Sequence, residues 1–307
     1  MSGVVWAAIA GVLFGVFQSV NRLALVELDV IASTFIQLLA CTAFMVVALL
    51  VRGTEHLGSL SAASLANFAV AGVIHFLAGW TLLNMSQKRI GAARTSPLLA
   101  TTPLFGAAVA AVTLDEFPDA VEFVGVGLIV VGVYVTQLDR LRAARVPAAA
   151  GSAGSGEGPP ANPPLRASIF GLGTAMAWAV SPIFIRRGLE DVDDPLLGVT
   201  IAVIVATIAF AIALALRGGP VFASASRRSL AWKLGGGLLV GVGTWARWYA
   251  LSLEPVAVVL GLGLLTVPTV MLLAPAIAGR VLEPVTATVL LGAALVVGGA
   301  LLLIVRG

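Results

Sequence analysis

The chain has 307 residues, of which 59% are hydrophobic and only 11% charged, and its mean hydropathy is +1.05. A soluble domain has about a quarter of its residues charged, so this balance excludes a soluble protein and indicates one integral to a membrane. The basic residues behind the net charge of +3 lie scattered at the ends of apolar runs, which excludes a nucleic-acid surface, and a single cysteine, Cys41, excludes an intrachain disulfide or a cysteine metal cluster.

A bilayer core asks about 20 apolar residues of a spanning helix. In chain order ten such runs occur, at 3–22, 30–51, 64–86, 91–114, 119–138, 167–186, 195–216, 230–251, 255–279 and 284–305. Their continuity favours helices over the alternating strands of a barrel. The first run has no Lys or Arg before Arg22 and no small-residue cleavage pattern, so it reads as a retained helix, not a signal peptide. It carries Gly11 and Gly15 at the four-residue spacing of close helix packing, then Gln18, Asn21 and Arg22. The third run holds His75 near its middle, with Trp80 and Asn84 beyond. The fourth holds Ser96, Thr101, Thr102 and an internal Pro103, and stops on Asp115, Glu116 and Pro118. After the fifth comes 139–166, rich in Gly, Ala, Ser and Pro and without hydrophobic periodicity, the composition of a flexible, water-exposed linker. The sixth run carries Trp178, Ser181 and Arg186, the eighth Trp245, Arg247, Trp248 and Tyr249, and the ninth Thr266, Pro268 and Thr269.

The linker divides five runs from five, and the halves repeat. A shift of 165 lays SLANF (64–68) over SLAWK (229–233), Trp80 over Trp245 and Pro103 over Pro268. A slip of two residues then aligns Glu116 with Glu283, Gly125 with Gly292 and Gly132 with Gly299. A shift of 164 lays FGVFQSVNRLAL over WAVSPIFIRRGL and Arg22 over Arg186. An odd number of spans per copy inverts the second copy in the membrane, the plan of many secondary transporters whose interrupted helices mark a midplane site. Matching intramembrane prolines suggest a shared helix-bending device at Pro103 and Pro268 that frees a carbonyl toward a cavity. The expected fold is therefore all-α: ten transmembrane helices as two inverted five-helix repeats, 1–138 and 167–307, around the linker 139–166.

Several pieces carry a family resemblance. Each half starts with an aromatic and small-residue helix, VLFGVF and AMAWAV, ending near a basic residue. The fourth and ninth spans pair an internal proline with a terminal Glu, in PLFGAAVAAVTLDEFP and PTVMLLAPAIAGRVLEP. The fifth and tenth are patterned with glycine, VGVGLIVVGVYV and LGAALVVGGALLLI. Together the chain resembles the EamA family of ten-helix carriers in the drug/metabolite transporter (DMT) superfamily, over nearly everything but the linker. The resemblance implies a multi-pass protein of the plasma or inner membrane that moves a small metabolite, with amino acids and related export (efflux) substrates first. It implies neither catalysis nor a cofactor.

Small multidrug exporters of that superfamily use a membrane carboxylate to exchange protons for cationic drugs. Here the fifteen acidic residues fall in loops, the linker or near helix ends, which disfavours that chemistry. Intramembrane polar groups are functional candidates by default, and those offered are neutral or basic. Gln18, His75, Trp80, Asn84, Thr102, Trp178, Trp245 and Arg247 are the candidate substrate-binding residues. An Arg fork with aromatic neighbours can hold a carboxylate and stack on a planar body. Other readings stay open: Trp248 and Tyr249 as interfacial anchors, Arg22, Arg186 and Arg247 snorkelling to headgroups, and Ser or Thr hydroxyls bonding their own helix. An intramembrane enzyme finds no support. There is no HExxH, His56 and His75 sit in different kinds of segment, and Ser168 and Ser181 have no base near them in sequence. The alternative to a carrier is a lipid scramblase or a non-transporting membrane protein on the same fold. The expected partners are the bilayer and a small molecule, in a monomer or homodimer.

Orientation divides the arguments. The resemblance implies cytoplasmic termini. Flanking Lys and Arg, however, count five on the termini side, Arg247 included, and thirteen on the linker side, Lys233 included. The positive-inside rule then places the linker in the cytoplasm.

Overall fold

The computed structural model describes residues 2–25, 29–90, 95, 98–143, 165–218, 226–278 and 287–306. The centre of the expected linker, Ser96, Arg280 and Glu283 lie outside the described residues, as does the side chain of Arg22. All regular structure among the described residues is helical. The elements are α1 (Gly3–Leu25), α2 (Val30–Arg52), α3 (Ala62–Gly72), a π-helical segment (Val73–Trp80), α4 (Thr81–Ile90), α5 (Thr102–Thr113) and α6 (Ala120–Ala143). They continue with α7 (Leu165–Leu189), α8 (Pro195–Arg217), α9 (Arg227–Leu253), α10 (Val256–Gly263), α11 (Thr266–Ala278) and α12 (Ala287–Arg306).

Among the described residues, five helical stretches are long and apolar enough to cross a membrane: Gly3–Asn21, Val30–Arg52, Ala62–Arg89, Ser168–Leu189 and Pro195–Arg217. Shorter apolar helices cover Thr102–Thr113, Ala120–Val135, Val256–Val270 and Leu290–Leu303. The 27 residues of α9 are length enough, but Lys233, Arg247 and its glycines dilute the apolar run.

Helix starts follow side-chain chemistry, and they recur at a spacing of 165. Asp29 caps α2 through Ile31 and Ala32 N–H, and Asp194 caps α8 through Leu197 N–H. Ser61 caps α3 and Ser226 caps α9, each accepting from the N–H three residues on. Such caps satisfy orphan donors that hydrocarbon leaves without water.

The structure corrects the expectation of bending at the two prolines. Neither Pro103 nor Pro268 kinks a continuous helix. The chain breaks just before them, at Ala100–Thr101 and Leu264–Leu265. Each proline then occupies the first turn of the next helix, where its missing N–H costs nothing. The two breaks are built alike: Thr101 Oγ1 donates to Leu98 O at 2.6 Å, and Thr266 Oγ1 to Gly263 O at 2.8 Å.

Packing is reciprocal. α1 lies against α9, as α3, the π segment and α4 lie against α7. α2 packs on α8, where Thr42 and Thr207, 165 residues apart, share a hydroxyl–hydroxyl bond of 2.8 Å. α6 packs on α12 through paired glycines. A Cβ on Gly132 would stand 2.7 Å from Gly292 O, and one on Gly299 only 2.6 Å from Gly125 O. Glycine is required there because backbone, not a movable side chain, occupies the space. The core between these pairs is Leu, Val, Ala and aromatic, with Phe68 and Trp248 wholly buried against one another.

Both ends of the chain reach the same side of the bundle. Val4 N–H donates to Glu254 at 3.2 Å, and Leu303 meets Gly125 near the start of α6. The ends of α6 and α7 that face the linker lie at the other side.

Candidate functional site

A cavity with about 790 Å³ of atom-free space, its mouth included, lies between α1, the π segment, α4, α5, α7, α9, α10 and α11. Six of the candidate residues line it: Gln18, His75, Trp80, Thr102, Trp178 and Arg247. Asn84 and Trp245 do not. Asn84 is buried beside the cavity and donates to Thr34 Oγ1 at 2.7 Å, while Trp245 packs partly buried against the core.

The π segment positions His75. It widens the helix by one residue per turn, a device frequent at functional sites. His75 Nδ1 meets Ser181 Oγ at 2.8 Å, and its ring stacks on Trp178 at 5.7 Å between centroids. Trp178 Nε1 donates to the His75 carbonyl at 3.3 Å. Gly79 makes this approach possible, since a Cβ there would sit 2.5 Å from Trp178 Nε1. Ser181, which has no base near it in sequence, thus acquires one through folding.

Two polar groups reach the cavity without a partner. Arg247 Nη2 and Thr102 Oγ1 make no hydrogen bond among the described residues, although both residues are buried. Burying such donors unpaired costs on the order of 1–3 kcal/mol each, more for a charge. A ligand bearing an anionic oxygen would remove that cost. Arg247 therefore does not snorkel.

The cavity wall repeats as the helices do, but its chemistry does not. Phe14 and Trp178, His75 and Val240, Leu99 and Leu264, Thr102 and Val267 are repeat-related pairs, and all eight line it. His75 and Arg247 fall opposite Val240 and Leu82. The aromatic wall at Phe14 and Phe17 escapes a reading that weighs only polar residues, though Phe14 lies within the VLFGVF motif.

Other aromatic and charged residues also shift role. Trp248 is fully buried and is no interfacial anchor, whereas Tyr249 is exposed and meets Trp6 edge-on. Arg186 does not snorkel: its Nη2 lies 2.5 Å from Glu116, and its Nη1 donates to Leu251 O at 2.7 Å. The second Glu116 oxygen accepts from Val256 N–H at the start of α10. Lys233 is wholly buried rather than flanking.

Among the described residues, two further cross-repeat ion pairs lie outside the cavity, one at each end of the bundle. Arg52 grips Asp194 with both guanidinium nitrogens at the termini end. At the linker end the counterpart, Arg217 with Asp29, is 3.9 Å apart. Both members of each pair are related to the other pair by the shift of 165. Asp194 is 1% exposed, whereas Asp29 is 43% exposed and Arg217 53%. Of these two pairs, the one at the termini end is held closely and the one at the linker end is held loosely.

Residues 1–138 match the EamA-like transporter family. The match bears out, over that stretch, the resemblance read from the sequence. No curated protein matches the chain. Among the solved structures, 26 chains match. One, described only as the crystal structure of a protein, is 17% identical, covers 99% of this chain and 96% of its own, and has a TM-score of 0.72. At that identity the likeness concerns the fold alone.

Proposed function

We propose that the chain is a secondary carrier, not driven by ATP, that moves an amino acid or a related neutral, zwitterionic or anionic metabolite by alternating access. The observation that carries this reading is the buried Arg247 fork, with one nitrogen unpaired, beside Thr102 and an aromatic wall. A carboxylate on the fork and a flat or apolar body against Trp80, Trp178 and Phe14 would satisfy both halves of the cavity.

Ten membrane crossings in two inverted repeats, 1–138 and 167–307, fit the reciprocal packing. Related residues meet at Thr42–Thr207, and the α6–α12 glycines exchange contacts as a two-fold axis requires. Alternating access fits the unequal ion pairs, because a symmetric bundle with one clamped end has a mirror conformation with the other end clamped. We place the protein in the plasma or inner membrane, as monomer or homodimer, with the linker cytoplasmic. Removing the buried Arg247 and Lys233 from the flank count leaves the bias toward the linker side. A phosphatase or fluorescent reporter fused after Gly307 tests the orientation, and cytoplasmic signal there refutes it.

The functional test is exchange of labelled amino acids across proteoliposomes by the purified full chain. Transport should fall at least tenfold in Arg247→Ala and in His75→Ala, with membrane insertion unchanged. Normal transport by both variants would refute the site. Lipid flipping without amino-acid exchange would favour the scramblase reading.

A further inference from the structure

Lys233 has no place in the cavity described above, yet it is as buried as any residue in the protein. Its ammonium has three donors. One goes to Asn21 Oδ1, and the face of Phe17 lies 5.9 Å away. Among the described residues no carboxylate pairs with it. A buried ammonium with one neutral acceptor is costly unless an anion completes it.

Its position relative to Arg247 is specific. Both lie on α9, 14 residues and so about 21 Å apart along the axis, and only about 40° from the same face. Between them that face holds Gly236, Gly237, Val240, Gly243 and Thr244. Across from it, α1 presents Phe14, Phe17, Gln18 and Asn21, a single stripe at helical spacing. The first three line the cavity and the fourth holds Lys233. Phe17 thus belongs to both places: one side of it faces the cavity and its ring lies under the ammonium. Gly236 sits against that same ring, since a Cβ there would meet Phe17 Cδ2 at 3.4 Å. A small neighbour leaves the ring room to turn.

We propose that Lys233 is a second station for the substrate's carboxylate, reached from Arg247 when Phe17 turns aside. The anion then leaves one buried cation for another about 21 Å along α9 toward the linker end, past Phe17 and the small residues between them. This rests on the carboxylate reading of the cavity, which has its own readout below.

The sequence contains two lysines, Lys88 and Lys233, and Lys88 is exposed. Isotope-labelled lysine in the full chain therefore gives two side-chain signals, assigned with Lys233→Gln. Benzoate is titrated as the anionic probe and benzamide as its neutral isostere, while the part of the tryptophan quenching that Trp80→Phe and Trp178→Phe remove, out of six tryptophans, reports cavity occupancy. The expected result is a saturable shift of the Lys233 signal with benzoate and none with benzamide. Phe17→Ala should lower the benzoate concentration needed severalfold. Quenching by benzoate with an unmoved Lys233 signal would overturn the second station and leave the cavity reading standing. A Lys233 shift without quenching would do the reverse. Equal shifts with both probes, or no response in either readout, would overturn the station and leave Lys233 a structural tie between α1 and α9.

Discussion

Asp194→Asn separates a clamp from a cap. In the wild type Asp194 performs two tasks, accepting from Leu197 N–H at 3.0 Å and binding both nitrogens of Arg52. Asn caps a helix as well as Asp, so α8 keeps its start and only the charge pairing is lost. Breaking a fully buried pair costs about 3–5 kcal/mol. Arg52 is 40% exposed, so water takes over part of its solvation, and about 1–3 kcal/mol is the expected loss. If the pair is made only while the termini end is closed, the open population rises about 5- to 150-fold. The assay is the rate at which a membrane-impermeant maleimide, added on the termini side, labels Leu260→Cys on the cavity wall. Cys41→Ala supplies the cysteine-free background. Asp29→Asn is the internal control: its pair is half-exposed at 3.9 Å and worth at most about 1 kcal/mol. Equal effects of the two variants, or a change below twofold in Asp194→Asn, would refute the clamp.

The same carboxyl predicts an acid dependence. Burial pushes the Asp194 pKa up, but the Arg52 guanidinium and Leu197 N–H outweigh it and hold it below its ordinary 3.8. A depressed carboxyl lends stability above its unfolded value and loses it as pH falls through the folded one. Thermal midpoints in detergent should therefore hold down to about pH 4 and fall below it, with a smaller fall in Asp194→Asn. Gly79→Ala places a methyl 2.5 Å from Trp178 Nε1, so the indole must leave His75, at a cost of about 1–3 kcal/mol. Tryptophan emission should shift and amino-acid exchange weaken, and unchanged spectra would show that the ring contact is not what Gly79 protects.

Much of this protein is set by linear pattern. Apolar runs of bilayer length determine a membrane class before any contact is known, because a helix satisfies its own backbone in lipid. The register of 165 is also linear, and it locates both helix breaks within a few residues of Pro103 and Pro268. Gln18, His75, Trp80, Thr102, Trp178 and Arg247 stand out because polar or bulky aromatic groups inside apolar runs need a reason to be there. The same register relates Asp29 to Asp194 and Arg52 to Arg217, because charges at the helix ends repeat across the halves as the prolines do. What linear pattern does not hold is rotation and reach. Whether Lys233 flanks the membrane or lies buried against Asn21 depends on where α9 starts and which face it turns to α1. The Ser181 and His75 pairing joins residues 106 apart. Asn84 lies one turn past Trp80 yet faces Thr34 instead of the cavity, because the π segment and the packing of α2 set its direction. The two ion pairs are equivalent in sequence, and only the bundle's conformation closes one and loosens the other. Identical local chemistry cannot choose between two ends of a symmetric fold; tertiary packing must.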